Sequence, residues 1–321
     1  MLRRQVLPRI LDTVAYLPLL VLALALRLVL LALKPIVHIR FGQLHSFQIG
    51  AYGIPMEAYF CQRDAGVLPK RSFDIFYHYV HKHFVVALEQ YQSNKDLVCN
   101  DQMDKMITEN LHVWEPAQAL DRLNCMIGPG KEAFRVVSQQ PYDQWDLFRR
   151  FPAHLSFTEE EEERGRSELE RMGVPAGSEF VCFHARDGQY IFKAHPRVDS
   201  LYGQWGAVDE RNASIQDCVP AVEEMTKQGY YAIRMGKFVK EPVDSENPMV
   251  IDYATRFHSD FMDMYLSAKC RFFLSTNSGI IHVPSMFRTP LVLANIYPLG
   301  CVEEGVTYQN HVFTPKLFYS G

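Results

Sequence analysis

The sequence lacks several motifs that would assign a chemistry directly. Its seven cysteines are scattered singly and form no C-x-x-C pair, which excludes a zinc ribbon and a dithiol redox site. No G-x-x-x-x-G-K-[ST] segment occurs, which excludes a P-loop NTPase, and the absence of G-x-G-x-x-G argues against a dinucleotide enzyme. Unpaired cysteines in a chain of this size favour a reducing compartment.

The sequence also lacks a large excess of charge of either sign. The 33 lysines and arginines are balanced by 37 aspartates and glutamates, which gives a net charge of −4 over 321 residues. Nucleic-acid binding needs a concentrated positive field, so we expect no nucleic-acid partner. Hydrophobic residues at 48% and charged residues at 22% exclude a disordered chain, a coiled coil and a collagen-like repeat. The length predicts about two domains.

The longest apolar run covers residues 13–33 and is interrupted only by Pro18 and Arg27. A spanning helix needs about 20 apolar residues, so this run spans a bilayer only if Arg27 lies inside it. The run predicts a spanning helix, a helix in one leaflet with Arg27 reaching the interface, or a buried core helix. We expect membrane attachment through residues 10–33, because basic residues flank the run: Arg3, Arg4, Arg9, Lys34 and Arg40.

The rest of the chain alternates short apolar runs with longer helical ones, which is typical of an α/β fold with parallel sheets. A capping box at Thr158 and Glu161 predicts the start of one helix. The breaks in the pattern, including a boundary near 140–157, divide the chain into a membrane segment (1–34), a first domain (35–155) and a second domain (156–321). Strands are predicted at 35–41, 72–77, 179–184, 230–235, 249–251, 271–274 and 291–293, and other helices at 50–60, 81–91, 214–228, 259–268 and 278–286.

Polar and cationic residues recur where four strands of the second half end. In open α/β sheets ligands bind just beyond the carboxyl ends of strands, so we expect these residues to meet at one edge. Each motif also has a plain structural interpretation: a surface arginine, a core histidine, a turn or a helix cap. The four motifs are His184-Ala185-Arg186-Asp187-Gly188 with Tyr190, Arg234-Met235-Gly236, Asp252-Tyr253, and Ser275-Thr276-Asn277-Ser278-Gly279.

The last of these motifs is suited to binding an anion. A helix is predicted to start directly after it, which would direct free backbone N–H groups at the ligand. Gly279 is expected to allow close approach of a phosphate, and Arg211-Asn212-Ala213-Ser214 has a similar character at its own helix start. Arg186 and Arg234 would neutralise a diphosphate without a metal, since guanidinium groups match phosphate oxygens.

Together these motifs resemble a family of bacterial glycosyltransferases linked to surface-polysaccharide synthesis. The H-x-R and S-G elements are also distantly similar to those of metal-independent fucosyltransferases and heptosyltransferases. The resemblance covers residues 180–300 best, where Ser259-Asp260-Phe261 and Asn295-x-x-Pro298 add to the strand-end motifs. It extends less sharply into the first domain, through Ile39-Arg40-Phe41-Gly42, Ile49-Gly50 and Glu57.

The resemblance implies a GT-B-like fold, with two Rossmann-like domains that contain parallel sheets, in addition to the N-terminal membrane-associated helix. The first domain would hold the acceptor and the second the nucleotide-sugar. Arg186 would hold the diphosphate, with His184 and Asp187 as the other catalytic residues, and Thr276, Ser278 and Gly279 would complete a phosphate cradle. The full set of implied donor-binding residues is Tyr190, Arg211, Asn212, Arg234, Gly236, Asp252, Tyr253, Ser259, Asp260, Thr276, Asn277, Ser278 and Gly279.

The implied activity is transfer of a sugar from a nucleotide-sugar to a saccharide acceptor. The membrane segment suits a lipid-linked acceptor at the cytoplasmic face of the bacterial inner membrane. No D-x-D motif is present, so we expect no metal, and no cofactor beyond the nucleotide-sugar substrate. Two alternatives stay open: a nucleotide-sugar epimerase or pyruvyl transferase on the same scaffold, and a non-catalytic, membrane-anchored polysaccharide assembly protein.

Some features depart from the family pattern. The first domain offers no obvious catalytic base, and the candidates are His45, Glu57 and Asp187. GT-B chains usually end with a helix that crosses back to the first domain, and few residues follow Pro315-Lys316, so we expect that helix to be absent or the chain to be shortened. The histidines at 78, 81 and 83 lack a nearby carboxylate or cysteine, so we interpret them as a solvated or interfacial helix face.

Overall fold

A computed structural model of the chain describes residues 3–79, 98–136, 146–194, 210–297 and 311–317. Those residues pack into two compact units. The predicted helix at 81–91, part of the predicted boundary at 140–157, and Pro298 lie outside the described residues. The functional division at 155/156 stays a prediction. Unit 1 draws its described residues from Met1–His45, Gln62–Lys82 and Thr108–Gln139, and unit 2 from Ser46–Cys61, His83–Ile107 and Gln140–Gly321.

Unit 1 is built on a parallel sheet, whose four strands within the described residues have the order β3-β2-β1-β4. The strands are β1 (His38–Leu44), β2 (Ser72–His78), β3 (His112–Val113) and β4 (Arg135–Val136). Strand β1 begins later than predicted, because the amides of Ile36 and Val37 bond back to the Leu33 carbonyl. It also continues past Gly42, because it pairs with β2 as far as Leu44.

Helix α1 (Arg3–Leu33) packs on unit 1 along a narrow stripe. Ala23, Arg27 and Leu30 are buried on this stripe, which contacts helix α4 (Ala117–Met126). Leu30 joins the core of unit 1, where its neighbours include Phe41. Across the part of the chain that the structure describes, no helix is both long enough and apolar enough to cross a membrane.

Arg27 faces protein rather than lipid. Its guanidinium donates to the carbonyl oxygens of Asn124 at 2.9 Å, Ile127 at 3.2 Å and Pro129 at 3.2 Å. It also lies 5.2 Å from the ring centre of Phe134. The carbonyls at the end of a helix have no partner within the helix, so a cation there satisfies them. The expectation that Arg27 lies in the bilayer or reaches its interface is therefore wrong.

Unit 2 contains a second parallel sheet, with six strands in the described residues and the order β10-β9-β8-β5-β6-β7. If these six strands are renumbered 1 to 6 along the chain and the sheet is read from the β7 edge, the order is 3-2-1-4-5-6. This is the strand order of dinucleotide-binding Rossmann folds. The predicted α/β fold with two parallel sheets is confirmed. The strands are β5 (Phe180–His184), β6 (Tyr231–Arg234), β7 (Val250–Ile251), β8 (Phe273–Ser275), β9 (Leu291–Ile296) and β10 (His311–Pro315).

Some helices of unit 2 connect these strands, and others precede the sheet in the chain. Helix α6 (Glu159–Arg171) begins with the predicted capping box, in which the Glu161 amide donates to Thr158 Oγ1 at 3.2 Å and the Thr158 amide donates to Glu161 Oε2 at 3.0 Å. Two of the predicted helices start with a 3₁₀ turn, Ile215–Cys218 before α8 (Val219–Lys227) and Gly279–Ile281 before α11 (His282–Met286). The helices are α2 (Ile49–Asp64, to Cys61 in this unit), α3 (Asp101–Thr108), α5 (Leu147–Arg150), α6 (Glu159–Arg171), α7 (Gln189–Ala194), α8 (Val219–Lys227), α9 (Tyr253–Arg256), α10 (Asp260–Lys269) and α11 (His282–Met286).

Candidate functional site

The strand order of unit 2 creates a crevice between the loops that follow β5 and β8. These strands are neighbours, but the chain leaves β5 toward β6 and leaves β8 toward β9, on the other side. Ligands of open α/β sheets bind at such a switch point, outside the carboxyl ends of the strands. The Arg186 amide donates to Thr276 Oγ1 at 2.9 Å, which joins the two loops at their start.

A cavity of about 330 Å³ lies at this edge, within unit 2. It brings together half of the predicted site residues: His184, Arg186, Asp187, Tyr190, Arg211, Gly236, Ser278 and Gly279. The other lining residues were not predicted as site residues: Gln48, Ile49, Gly50, Ala51, Cys99, Gly188, Lys237, Phe238, Asp263 and Ile280. The volume suits part of a small polar molecule, and the described residues of the wall include three cationic side chains.

Arg186 is buried and held in place by the backbone on both sides. Its amide bonds to Thr276, and its carbonyl accepts from the Ala213 amide at 2.8 Å. Its Nη1 donates to Asn212 Oδ1 at 3.0 Å. The strand before it is buried from Phe180 to Phe183, as predicted. A cation that is fixed at backbone and side chain can act on an anion with little reorganisation.

His184 lies half-buried at the cavity wall, one residue before the loop. Its Nδ1 is 3.0 Å from the Met235 carbonyl oxygen. A carbonyl only accepts, so Nδ1 carries the proton and Nε2 is an acceptor. Burial, with a smaller contribution from Arg234 and Arg186, lowers the pKa of His184 to about 4. The imidazole is therefore neutral at pH 7.

Asp187 fixes the loop that follows. Its Oδ1 accepts from the Gln189 amide at 3.0 Å, and its Oδ2 accepts from the Lys240 amide at 2.6 Å. Both carboxylate oxygens are thus bound to backbone groups of two different segments. Asp187 also borders a second cavity of about 440 Å³, which is lined with Asn212, Ser214, Lys240 and Glu241 among others.

Ser278 and Gly279 lie at the cavity, but their local structure differs from the predicted one. They lead into a 3₁₀ turn rather than directly into an α-helix. Ser278 Oγ is buried and has no hydrogen-bond partner among the described residues, so it can donate to a ligand. A Cβ on Gly279 would lie 3.3 Å from Ile49 Cγ2, so this glycine accommodates the start of α2.

Aromatic rings form another part of the cavity wall. The ring centroids of Tyr190 and Phe238 lie 6.0 Å apart. Burial raises the pKa of Tyr190 well above its usual value, so the hydroxyl stays protonated. Aromatic faces of this kind stack on nucleobases and on the apolar faces of sugars.

Eight predicted donor-binding residues are not among the lining residues: Asn212, Arg234, Asp252, Tyr253, Ser259, Asp260, Thr276 and Asn277. Arg234 is buried, and its Nη1 donates to Asp252 Oδ1 at 3.1 Å. The other oxygen of Asp252 accepts from the Val243 amide at 3.1 Å. The structure thus places this arginine against a carboxylate, where it braces the end of β6.

The remaining residues of that group make contacts behind the cavity wall. Tyr253 is fully buried, and its hydroxyl donates to Asp263 Oδ1 at 2.9 Å. Ser259 caps α10 by accepting from the Met262 amide at 3.2 Å. Asn277 donates from Nδ2 to the Tyr297 carbonyl at 3.1 Å. These contacts position the loops that carry the cavity residues.

Lys237 and Asp263 line the cavity and were missed by the sequence reasoning. Lys237 directly follows Gly236 at the end of β6, so the strand-end rule could have included it. Asp263 lies one turn into α10, where no strand-end signal marks it. Its Oδ2 lies 3.0 Å from His258 Nε2.

The other candidate bases are not among the lining residues. The Glu57 carboxylate is buried, and its Oε1 accepts from Arg288 Nη2 at 2.6 Å and lies 2.9 Å from His154 Nδ1. His45 belongs to unit 1, where its ring centroid lies 5.0 Å from that of Tyr79, with the two rings tilted. Neither residue borders the cavity of unit 2.

Within the described residues, two groups of side chains have donor atoms that lie within 4.8 Å of one another, as a metal ion would require: Glu57, Cys61 and His154, and His258, Asp260 and Asp263. In each group, one carboxylate already binds a cationic side chain from outside the group. Arg288 binds Glu57, and Lys237 Nζ lies 2.9 Å from Asp260 Oδ1.

No protein-family model matches this sequence, and no curated protein does. Among solved structures, a glycosyl transferase of family 9 from Veillonella parvula is 11% identical, with a TM-score of 0.49 over 87% of this chain and 86% of that chain. The ADP-heptose heptosyltransferase II of E. coli is 10% identical, with a TM-score of 0.44 over 86% and 90%. An E. coli heptosyltransferase with ADP-2-deoxy-2-fluoro heptose is 10% identical, with a TM-score of 0.39 over 86% and 93%.

The structural neighbours of this chain are therefore glycosyltransferases, and the predicted distant resemblance to heptosyltransferases is confirmed. With identities of 10–11% and TM-scores below 0.5, the likenesses are distant.

Proposed function

We propose that this chain is a glycosyltransferase that moves a sugar from a nucleotide-sugar donor to a hydroxyl acceptor, with Arg186 stabilising the leaving diphosphate. The observation that carries this proposal is the fixed position of Arg186 at the switch point of the sheet. There it lines a cavity together with the unpartnered hydroxyl of Ser278. Guanidinium and hydroxyl donors at such a point are suited to phosphate oxygens.

The charges of the cavity support an anionic ligand. Its cations are Arg186, Arg211 and Lys237, and its carboxylates are Asp187 and Asp263. Asp187 is bound by two backbone amides, and Asp263 by Tyr253 and His258, so neither needs a ligand to satisfy it. The excess of positive charge would stabilise a diphosphate without a metal ion, so we propose a metal-independent reaction that needs no cofactor.

In this proposal His184 receives the proton of the acceptor hydroxyl at Nε2. The hydroxyl oxygen bonds to the anomeric carbon, and the bond from that carbon to the phosphate oxygen breaks. The electron pair leaves on the diphosphate. Because Arg186 contributes to the low pKa of His184, a bound diphosphate would offset that charge and raise the basicity of the imidazole. Asp187 would hold the loop in place.

The exposed face of α1 supports attachment to a membrane surface. Leu17, Val21, Leu24 and Leu28 are 52–65% exposed and follow one another at helical spacing. Monomeric soluble proteins rarely expose an apolar surface of this extent. We propose that this face lies in one leaflet, with Arg27 on the opposite side of the helix, and that the acceptor is lipid-linked. The proposed location is the cytoplasmic face of the bacterial inner membrane.

A binding and product assay tests the proposed activity. The full chain in detergent is screened for thermal stabilisation by UDP-, GDP-, ADP-, CMP- and dTDP-sugars. Any donor that stabilises it is then incubated with lipid-linked saccharide from bacterial membranes. A glycosyltransferase releases the nucleotide only when an acceptor is present. Conversion of the donor sugar without an acceptor would indicate an epimerase, and the absence of any stabilising nucleotide would contradict the proposal.

A further inference from the structure

Lys237 is a cation in the cavity wall whose ammonium group has hydrogen-bond acceptors for only two of its three N–H donors among the described residues. It lines the cavity and is half-buried. Its Nζ donates to Asp260 Oδ1 at 2.9 Å and to the Cys99 carbonyl at 3.2 Å. An ammonium group has three N–H donors, and within the described residues two of them have these acceptors. The third donor is left for a ligand in the cavity.

The backbone places Lys237 at the same edge of the unit 2 sheet as Arg186. Gly236 has a φ of +145°, and a Cβ there would lie 2.8 Å from Val239 Cγ1, so only glycine fits this turn without strain. The turn directly follows β6, which pairs with β5. The two cations thus follow adjacent parallel strands and line one cavity.

Asp260 holds Lys237 at this position. Its Oδ2 accepts from the Asp101 amide at 2.9 Å, while its Oδ1 accepts from Lys237. The carboxylate is therefore fixed on both sides, and so is the ammonium bound to it. The same carboxylate partly neutralises the charge that Lys237 presents to the cavity.

We propose that Lys237 is a second phosphate-binding cation, which donates its third N–H to the diphosphate of the donor while Asp260 positions it and moderates its charge. This inference rests on the proposed function and adds a binding residue to it. A hydrogen bond to a charged group contributes enough to change a dissociation constant about tenfold or more. Lys237 and Arg186 would hold the diphosphate from two neighbouring strand ends.

Calorimetric titration of the full chain with inorganic pyrophosphate tests this assignment. Lys237→Met should weaken pyrophosphate binding about tenfold or more. Lys240→Met is the matched control, because Lys240 is an exposed lysine three residues further on that does not line this cavity. That control should change the dissociation constant less than about threefold, because its charge is screened.

Asp260→Asn gives a readout of opposite sign that a purely structural lysine would not show. It keeps an acceptor for the Asp101 amide and removes the negative charge beside Lys237. Pyrophosphate should therefore bind several-fold more tightly to this variant, and most of this gain should disappear when Lys237→Met is added. If Lys237 only braces Asp260, Lys237→Met will lower the melting temperature and leave the pyrophosphate affinity unchanged, and Asp260→Asn will change the affinity equally with and without Lys237. That result would overturn the inference.

Comparison of Arg186→Ala with Lys237→Met distinguishes a failure of this inference from a failure of the proposed function. If Arg186→Ala abolishes pyrophosphate binding while Lys237→Met matches the wild type, the diphosphate site stands and Lys237 has no part in it. If the wild type binds neither pyrophosphate nor any nucleoside diphosphate, both proposals fail. Circular dichroism melts of every variant confirm that the comparison is made between folded proteins.

Discussion

Gly50 and Gly279 face each other at the wall of the cavity. A Cβ on Gly50 would lie 3.5 Å from the Gly279 Cα and 2.7 Å from Cδ2 of His282, and a Cβ on Gly279 would lie 3.3 Å from Ile49 Cγ2. The absence of both side chains lets the first turn of α2 approach the loop after β8. This approach is the reason that Gln48, Ile49, Gly50 and Ala51 line the cavity.

Alanine at these two glycines should have unequal effects. Gly50→Ala forces a Cβ into the His282 ring, and overpacking of this kind costs about 1–3 kcal/mol. Gly279→Ala meets only a tight contact with Ile49, so a small adjustment should accommodate it. Urea unfolding should therefore show the larger loss for Gly50→Ala. Equal losses, or a larger loss for Gly279→Ala, would mean that this packing is not as described.

The two faces of α1 should be separable by mutation. Arg27→Met leaves three carbonyl oxygens without their cationic donor, and removing such bonds costs about 1–3 kcal/mol or more. Vesicle binding should be retained in this variant. Replacing Leu24 and Leu28, both exposed, with serine should reduce flotation with phosphatidylglycerol vesicles and leave stability nearly unchanged. If the serine variant floats like the wild type, the exposed face does not bind the membrane.

Acid should destabilise unit 2 through two histidines. Burial lowers the pKa of both His184 and His282 to about 4, from an ordinary value of 6.5. Between those pH values the unfolded chain binds more protons than the folded one, so the free energy of unfolding falls as the pH is lowered through this window. The full effect is up to about 3 kcal/mol for each ring, and partial exposure of the rings reduces it.

His258 should have the opposite effect on the pH dependence of stability. Although burial opposes it, the Asp263 carboxylate raises the pKa of His258, so its stabilisation is present below pH 6.5 and is lost as the pH rises through the raised pKa. Urea unfolding at pH 7.0, 5.5 and 4.0 checks the net result. His282→Gln should lose less stability on acidification than the wild type, whereas parallel pH profiles would show that His282 does not titrate in this way.

Activity should survive chelation. The cations of the cavity are side chains, and Lys237 already neutralises Asp260, which belongs to the carboxylate cluster with Asp263. Turnover of an identified donor should therefore be unchanged after dialysis against EDTA. Loss of turnover that magnesium or manganese restores would indicate metal-assisted transfer and would make His258, Asp260 and Asp263 the first candidates for ligands.

The sequence predicted those parts of unit 2 that have a local signal. The buried runs at β5 and β6 and the capping box at Thr158 are properties of neighbouring residues, and all are confirmed. Strand β10 was missed because its residues His311–Pro315 are mostly exposed at the sheet edge, so they carry no apolar run.

Contacts between distant residues could not be read from the sequence. Arg234 was placed correctly at a strand end, but its ion pair with Asp252, 18 residues later, depends on how the chain returns to the sheet. The same holds for Arg27, whose partners lie 97–102 residues further on. The contact between Gly279 and Ile49, which lies on a helix early in the chain, was likewise not predicted, and the phosphate role of Gly279 stays a prediction.

The most direct test of the account is the turnover number of Arg186→Ala with the identified donor, measured beside its melting temperature. Removing one fixed donor to a developing anion costs about 10²–10³ in kcat, so we expect a loss of that size with a melting temperature close to that of the wild type. Arg186→Lys should recover only part of the loss, because lysine keeps the charge but lacks the guanidinium fork. Wild-type turnover in Arg186→Ala, or a turnover loss that only follows a large drop in melting temperature, would contradict the central claim.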